Sequence, residues 1–162
     1  MSKKKNKQNY NPTDDERKGA LDVFRYELSM FWHALDIHTN ITGKYSAIQK
    51  TVHNETLESL LVHTRNLYDF FYGSATKEDD IRAFHFIEGG QQSWRPAIPE
   101  YLRTIQPRIN KYLSHLTYSR ISKRATWDWM RIATEINNTY EEFIEALPAA
   151  EVAQWKIHNL LR

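Results

Sequence analysis

Apolar residues recur at every third or fourth position in four long segments, which is the spacing of amphipathic helices. The main helices predicted from this spacing run from Thr13 to a connection at 39–53, and over residues 54–72, 100–117 and 127–147. Shorter helices are predicted at 80–87 and in the C-terminal segment 150–161. No Asn-Gly or Asp-Gly pair, the usual hairpin signal, occurs in the sequence. We therefore predict an all-α protein, a helical bundle of four main helices plus short helices and a C-terminal helix.

Three residues predict how individual helices begin, bend and end. Thr13 and Glu16 have the spacing of a capping box at the start of the first helix. Gly73 is expected to end the second helix in the left-handed conformation. Pro107 lies inside the third helical pattern, so we expect either a kink there or two helical pieces that meet.

The length of 162 residues suits one domain, predicted at 13–162, behind a disordered lysine-rich tail at 1–12. The tail holds four of the 22 Lys and Arg residues, which are Lys3, Lys4, Lys5 and Lys7. The remaining 18 oppose 20 acidic residues, so the folded body carries a net charge of −2. Such a tail either adds a weak, salt-sensitive affinity for nucleic acid or serves as a solubilising end.

Several classes of protein are excluded by composition. The absence of cysteine excludes disulfides, cysteine-based zinc sites and a cysteine nucleophile. No apolar run is long enough to span a membrane, and the N-terminus lacks the apolar stretch of a secretory signal, so we expect a cytoplasmic protein. The seven histidines do not form helical ligand pairs with repeated acidic partners, so we expect neither a metal nor a cofactor.

The predicted second helix carries an unusually polar group of side chains, His63, Arg65, Asn66 and Asp69. On a helical wheel His63 and Arg65 lie about 160° apart, so they cannot converge from one helix. This group is either an ion-paired stripe with a packed histidine or part of a functional site. We expect Arg65 and Asp69 to be buried between helices, in which case removing Asp69 would cost about 3–5 kcal/mol.

The predicted third helix carries a basic edge. Arg108 and His115 are two turns apart and return to within about 20° of each other, with Lys111 beside them. A guanidinium, an ammonium and an imidazole along one edge suit phosphate binding next to a titratable base. The alternative is a basic solvent-exposed face with an incidental histidine.

The segments LESLLVHTRNLYDFFYG and RINKYLSHLTYSR resemble uncharacterised bacterial all-helical proteins, in which a His-x-Arg-Asn-Leu-x-(Asp/Glu)-Phe helix precedes a His-Leu-Thr-x-x-Arg segment. This resemblance covers roughly residues 20–145 and implies a shared fold without an established activity.

A second resemblance is to the HEPN superfamily of helical bundles, whose signature is an Arg separated by four to six residues from a His, as Arg108 is from His115. It implies an RNA-binding or metal-independent RNA-cleaving protein of a bacterial defence or toxin system. Arg108 would then stabilise charge on the scissile phosphate and His115 would act as general base or acid. Lys111, Asn110 and Arg120 would contact the RNA.

The competing hypothesis is a non-catalytic module that binds other proteins. The predicted first helix carries a second apolar strip, Val23, Tyr26, Met30 and Ile37, nearly opposite its core face. We refer to these four residues as the outer strip. Soluble monomers rarely leave such strips uncovered, so the strip predicts a homodimer. Alternatively, the terminal helix with Trp155 covers it within one chain.

Overall fold

The computed structural model describes residues 12–41, 46–73, 80–114 and 126–156. These residues form five α-helices and two short 3-10 helices, with no β-strand among them, which confirms the predicted all-α bundle. The α-helices are α1 (Asp14–Asn40), α2 (Ala47–Tyr72), α3 (Glu100–Ser114), α4 (Trp129–Ala146) and α5 (Ala149–Trp155). The 3-10 helices, Ala83–Phe86 and Gly90–Gln92, lie between α2 and α3.

Contacts between side chains fix the directions of the four long helices. Phe24 near the start of α1 packs on Phe143 near the end of α4, with ring centroids 6.3 Å apart, and His38 near the end of α1 contacts Trp129 at the start of α4. Glu27 of α1 likewise meets His63 of α2, whereas His38 meets His53. Both α2 and α4 therefore run antiparallel to α1.

Helix α3 runs antiparallel to α4, because Leu102 hydrogen-bonds Glu135 while Arg108, further along α3, lies over Trp127. The bundle is therefore up-down-up-down. At one end, called here the Trp129 end, α1 and α3 finish while α2 and α4 begin. The opposite end is called the Trp155 end.

An aromatic cluster closes the core at the Trp155 end. Trp155 of α5 is 2% exposed and lies 4.6 Å from Phe86 and 5.4 Å from Phe24, measured between ring centroids. Phe70 and Phe143 complete the cluster, with centroids 6.2 and 5.1 Å from Trp155. Each such ring buries a large apolar area, so α5 is part of the core.

The predicted capping box at the start of α1 is confirmed: the side chain of Thr13 accepts from the Glu16 amide, and the Glu16 carboxylate accepts from the Thr13 amide. The predicted connection at 39–53 is wrong over most of its length, because α2 already begins at Ala47. The start of α2 is another capping box, in which Ser46 and Gln49 exchange the same two hydrogen bonds.

Helix α2 ends before Gly73 as predicted, but the left-handed conformation expected of Gly73 is wrong, and so is a division of α3 into two pieces at Pro107. Gly73 follows α2 with φ −65° and ψ 142°, which is extended and not left-handed. Helix α3 continues through Pro107, so it does not divide into two pieces. The alternative of a kink at Pro107 stays a prediction. Pro107 is exposed, which places the hydrogen bond that its ring nitrogen cannot donate on the solvent side of the helix.

The outer strip of α1 faces solvent. Val23, Tyr26 and Ile37 are 50%, 57% and 45% exposed, and Met30 is half-buried. Trp155 is buried in the core instead of lying on this strip, so cover by the described part of the terminal helix is wrong. Two predicted segments lie outside the described residues: 1–11 of the tail and 157–161 of the terminal helix. None of the described helices is both long and apolar enough to cross a membrane.

Candidate functional site

The predicted basic edge of α3 lies at the Trp129 end of the bundle. Arg108 is exposed, and its guanidinium carbon lies 5.1 Å from the centroid of the Trp127 ring, a cation–π contact. Lys111 is exposed about one turn further along the helix. His115 and Arg120 lie outside the described residues, so the predicted pairing of Arg108 with His115 stays a prediction.

A ladder of polar contacts holds α3 against α4 and so sets the position of Arg108. The Leu102 amide, in the first turn of α3, donates to Glu135 Oε2 at 3.3 Å. The Asp128 amide donates to the Tyr101 hydroxyl at 2.9 Å, and the Arg131 guanidinium lies 4.7 Å from the centroid of the Tyr101 ring. This register brings Trp127, two residues before α4, beneath Arg108.

Aromatic rings continue from Arg108 across the Trp129 end. Tyr112 meets Trp127 edge-on at 6.2 Å, and Trp127 lies 5.9 Å from Trp129. Trp129 and His38 form a T-shaped contact with centroids 5.8 Å apart, and His38 stacks on His53 at 4.4 Å. The row therefore connects all four long helices at this end.

Burial lowers the pKa of His38, and the neighbouring His53 lowers it further. Its Nδ1 lies 3.3 Å from the hydroxyl of Thr56. The lowered pKa favours the uncharged form of the His38 ring, which limits charge repulsion in its stack on His53.

The charge distribution of the sequence singles out the same part of the molecule. Between Tyr101 and Trp127 the sequence has six Lys and Arg residues and no Asp or Glu. Beyond residue 10, the rest of the chain has 12 Lys and Arg against 20 Asp and Glu, a net charge of −8. This acid-free segment is the sequence signal that a search for motifs alone overlooks.

Two buried polar atoms at this site have no hydrogen-bond partner among the described residues, Asn110 Oδ1 and Trp127 Nε1. Asn110 is half-buried, and its side-chain oxygen is withdrawn from solvent. The predicted contribution of Asn110 to RNA binding would therefore have to come from its amide nitrogen.

His63 belongs to a different site, between α1 and α2. Its Nδ1 lies 2.6 Å from Glu27 Oε2, and the Asn66 side chain donates to the same oxygen at 3.0 Å. Burial alone would raise the pKa of Glu27, but the hydrogen bonds from His63 and Asn66 outweigh it, so the pKa lies below 4.5. Glu27 was not predicted, because its pairing depends on how α1 is aligned with α2, which neither segment encodes alone.

The expected burial of the Arg65–Asp69 pair is wrong. The two side chains are 44% and 40% exposed, and Arg65 Nε lies 4.0 Å from Asp69 Oδ2. Partial burial raises the pKa of Asp69, an effect opposed by the charges of Arg82 and Arg65. The pair is therefore a surface ion pair of small energetic value, and the predicted cost of 3–5 kcal/mol for removing Asp69 does not apply.

The described members of the two predicted groups contact different parts of the bundle. His63 and Asn66 contact α1, whereas Arg108 contacts the residues that precede α4. No hydrogen bond or ion pair between described residues connects the two groups. Among the described residues there is also no group of three or more His, Cys, Asp or Glu side chains that could hold a metal ion.

Neither the protein-family models, the curated proteins nor the solved structures that were compared with this chain gave a match. The functional argument therefore rests on the side chains of this chain. Of the two sites, the Arg108 edge is exposed and positively charged, whereas the Glu27–His63–Asn66 site is internally paired. The Arg108 edge is the better candidate for binding a ligand.

Proposed function

We propose that the protein binds RNA through the edge of α3 at the Trp129 end. The observation that carries this proposal is the exposed Arg108 guanidinium over Trp127, within a 27-residue segment that has six cations and no acid. Cations neutralise phosphates and release counterions, which supplies most of the affinity for a nucleic acid. Aromatic rings beside those cations are typical of surfaces that bind single strands.

The acidic remainder of the chain also favours binding of RNA at this edge of α3. A polyanion is repelled by the net charge of −8 on the rest of the chain beyond residue 10 and attracted to the segment that carries +6. Arg108 and Lys111 are both exposed on α3, three residues apart, so they lie on adjacent turns and can contact neighbouring phosphates. We therefore assign backbone contacts to Arg108 and Lys111.

Binding is tested with a fluorescently labelled 20-nucleotide RNA by anisotropy, over a series of salt concentrations. Arg108→Gln and Lys111→Gln should each weaken binding and lower the slope of log affinity against log salt by about 0.7. Lys18→Gln is the matched control, because Lys18 is exposed on α1 toward the Trp155 end and should leave the slope unchanged. Equal effects of all three changes, or no binding by the wild type, would refute the proposal.

Cleavage of RNA is decided by a separate assay on the same protein. Pairing of Arg108 with His115 would let the imidazole take the proton from the ribose 2′-hydroxyl while the guanidinium stabilises the phosphate. Cleavage that persists in EDTA and disappears in His115→Ala would establish this activity. Binding without cleavage would leave the protein as an RNA-binding module.

A second candidate function, protein–protein interaction, is favoured by the outer strip. The partner tested here is a second copy of this chain. Tyr26 is 57% exposed and Val23 is 50% exposed on a helix whose opposite face forms the core. A symmetric dimer that covers the strip would have a mass of twice 19.3 kDa. Light scattering should then give that mass for the wild type and 19.3 kDa for Tyr26→Ser, whereas a wild-type monomer would rule out the dimer.

A further inference from the structure

We propose that Arg108 is a stacking platform for one unpaired base of the bound strand, an inference that rests on the proposed RNA-binding function. The ligand class is therefore single-stranded RNA with at least one base free of pairing. Trp127 supports the guanidinium from below, and the base lies on the opposite face.

The geometry of Arg108 carries this inference. Its guanidinium carbon lies over the Trp127 ring, 5.1 Å from the ring centroid, and the residue as a whole is exposed. It forms no ion pair with any carboxylate among the described residues. A guanidinium is flat, delocalised and weakly hydrated, which are the properties that allow it to stack on an aromatic ring.

Trp127 is itself fixed in place, so the platform is preorganised. Tyr112 meets its ring edge-on at 89°, and Trp129 packs beside it. Asp128, the next residue, is the N-cap of α4 and accepts from the Arg131 amide. Because these contacts already hold the ring, little conformational entropy is lost when a base stacks on Arg108.

A stacked base must be unpaired, because the faces of bases inside a duplex are covered by their neighbours. A nucleobase that extends the order Trp127, Arg108, base would gain stacking in addition to the phosphate contacts. Lysine at position 108 would keep the charge but offer no planar face. The lysine substitution therefore separates stacking from charge.

The test compares two anionic probes at fixed salt: a 12-nucleotide oligoadenylate, and inorganic polyphosphate of the same charge, which has no bases. Arg108→Lys should weaken oligoadenylate binding on the order of tenfold and leave polyphosphate binding within about twofold. Arg95→Lys is the matched control: Arg95 is exposed, lies outside the acid-free segment and lies over no described aromatic ring. It should change neither affinity.

The outcomes separate this inference from the proposed function. If Arg108→Lys binds both probes as the wild type does, or loses affinity equally for both, Arg108 acts only as a charge. The stacking inference is then wrong, while RNA binding stands. If the wild type binds no oligoadenylate, the proposed function fails and this inference fails with it. Thermal unfolding of each variant verifies that these exposed substitutions leave the fold intact.

Discussion

Glu27 and Asp69 each pair with a basic side chain of α2, and their surroundings determine how much each pair stabilises the fold. Glu27 is largely buried and accepts two hydrogen bonds from a neighbouring helix. Asp69 Oδ2 lies 4.0 Å from Arg65 Nε, and these two side chains are 40% and 44% exposed. Hydrogen bonds to a buried charge are worth more than a solvent-exposed ion pair. The interhelical pair is therefore the one that contributes to stability.

Replacement of Glu27 by Gln should lower the free energy of unfolding at pH 7 by about 1–2 kcal/mol, because His63 and Asn66 lose a charged acceptor. The pKa of Glu27 lies below 4.5 in the folded state. Its contribution is therefore fully present above that pH and is lost as the pH falls through the folded pKa. Urea unfolding at pH 7 and at successively lower pH should show the wild type and variant converging.

Asp69→Asn is the matched control for this prediction, because it makes the same chemical change at the exposed pair. It should alter the free energy of unfolding by less than about 0.5 kcal/mol. A larger loss for Asp69→Asn than for Glu27→Gln would contradict the energetic ranking of the two pairs.

At the level of helices, apolar periodicity located the buried turns, and polar capping signals are needed to place the exposed helix starts. Helices α1 and α2 both begin with a capping box, at Thr13 and at Ser46. Only the first was predicted, although Ser46 and Gln49 have the same spacing as Thr13 and Glu16. The first turns of α2 lie beyond the core, because Ile48 is 76% exposed and the first buried residue is Thr56. Apolar periodicity detects burial, so it gives no signal for helical turns in solvent.

In the candidate sites, spacing within one helix could be predicted from the sequence, whereas contacts between helices could not. The position of Arg108 on an edge of α3 follows from spacing along one helix. Its support by Trp127 and the pairing of His63 with Glu27 depend on how separate helices are aligned. That alignment is set by packing of the whole core, which a local pattern does not specify.

Gly73→Ala should lower the free energy of unfolding by about 1–3 kcal/mol. The added Cβ would overlap the Asp69 carbonyl oxygen and lie 2.7 Å from Arg82 Nε. The backbone conformation of Gly73 suits any residue, so the cost comes from close contact alone. Gly19→Ala in α1 is the control: its Cβ meets nothing within 4 Å, so the free energy of unfolding should rise by about 0.5–1 kcal/mol. Denaturant titration of both variants measures the contrast, and a destabilised Gly19→Ala would contradict it.

At the scale of the whole molecule, the two ends of the bundle have different compositions. The Trp155 end is closed by aromatic rings from α1, α2, α4 and α5. At the Trp129 end Arg108 and Lys111 remain in solvent, and the sequence between α3 and α4 is basic. Arg108 and Lys111 are exposed, so substitutions there can be tested without unfolding the protein.

Trp155→Ala tests this division and should lower the free energy of unfolding by about 3–5 kcal/mol. The indole is 2% exposed, and the backbone carbonyl of Trp155 accepts a 2.8 Å hydrogen bond from the Tyr140 hydroxyl. Loss of the Trp155 indole would leave a cavity among the aromatic rings of the cluster. Gln154→Ala is the control, because the Gln154 side chain is exposed while its backbone carbonyl, which accepts from Arg25, is retained. In denaturation monitored by circular dichroism, the free energies of unfolding of the two variants should differ by most of the loss predicted for Trp155→Ala. Equal stability of the two would show that α5 is not part of the core.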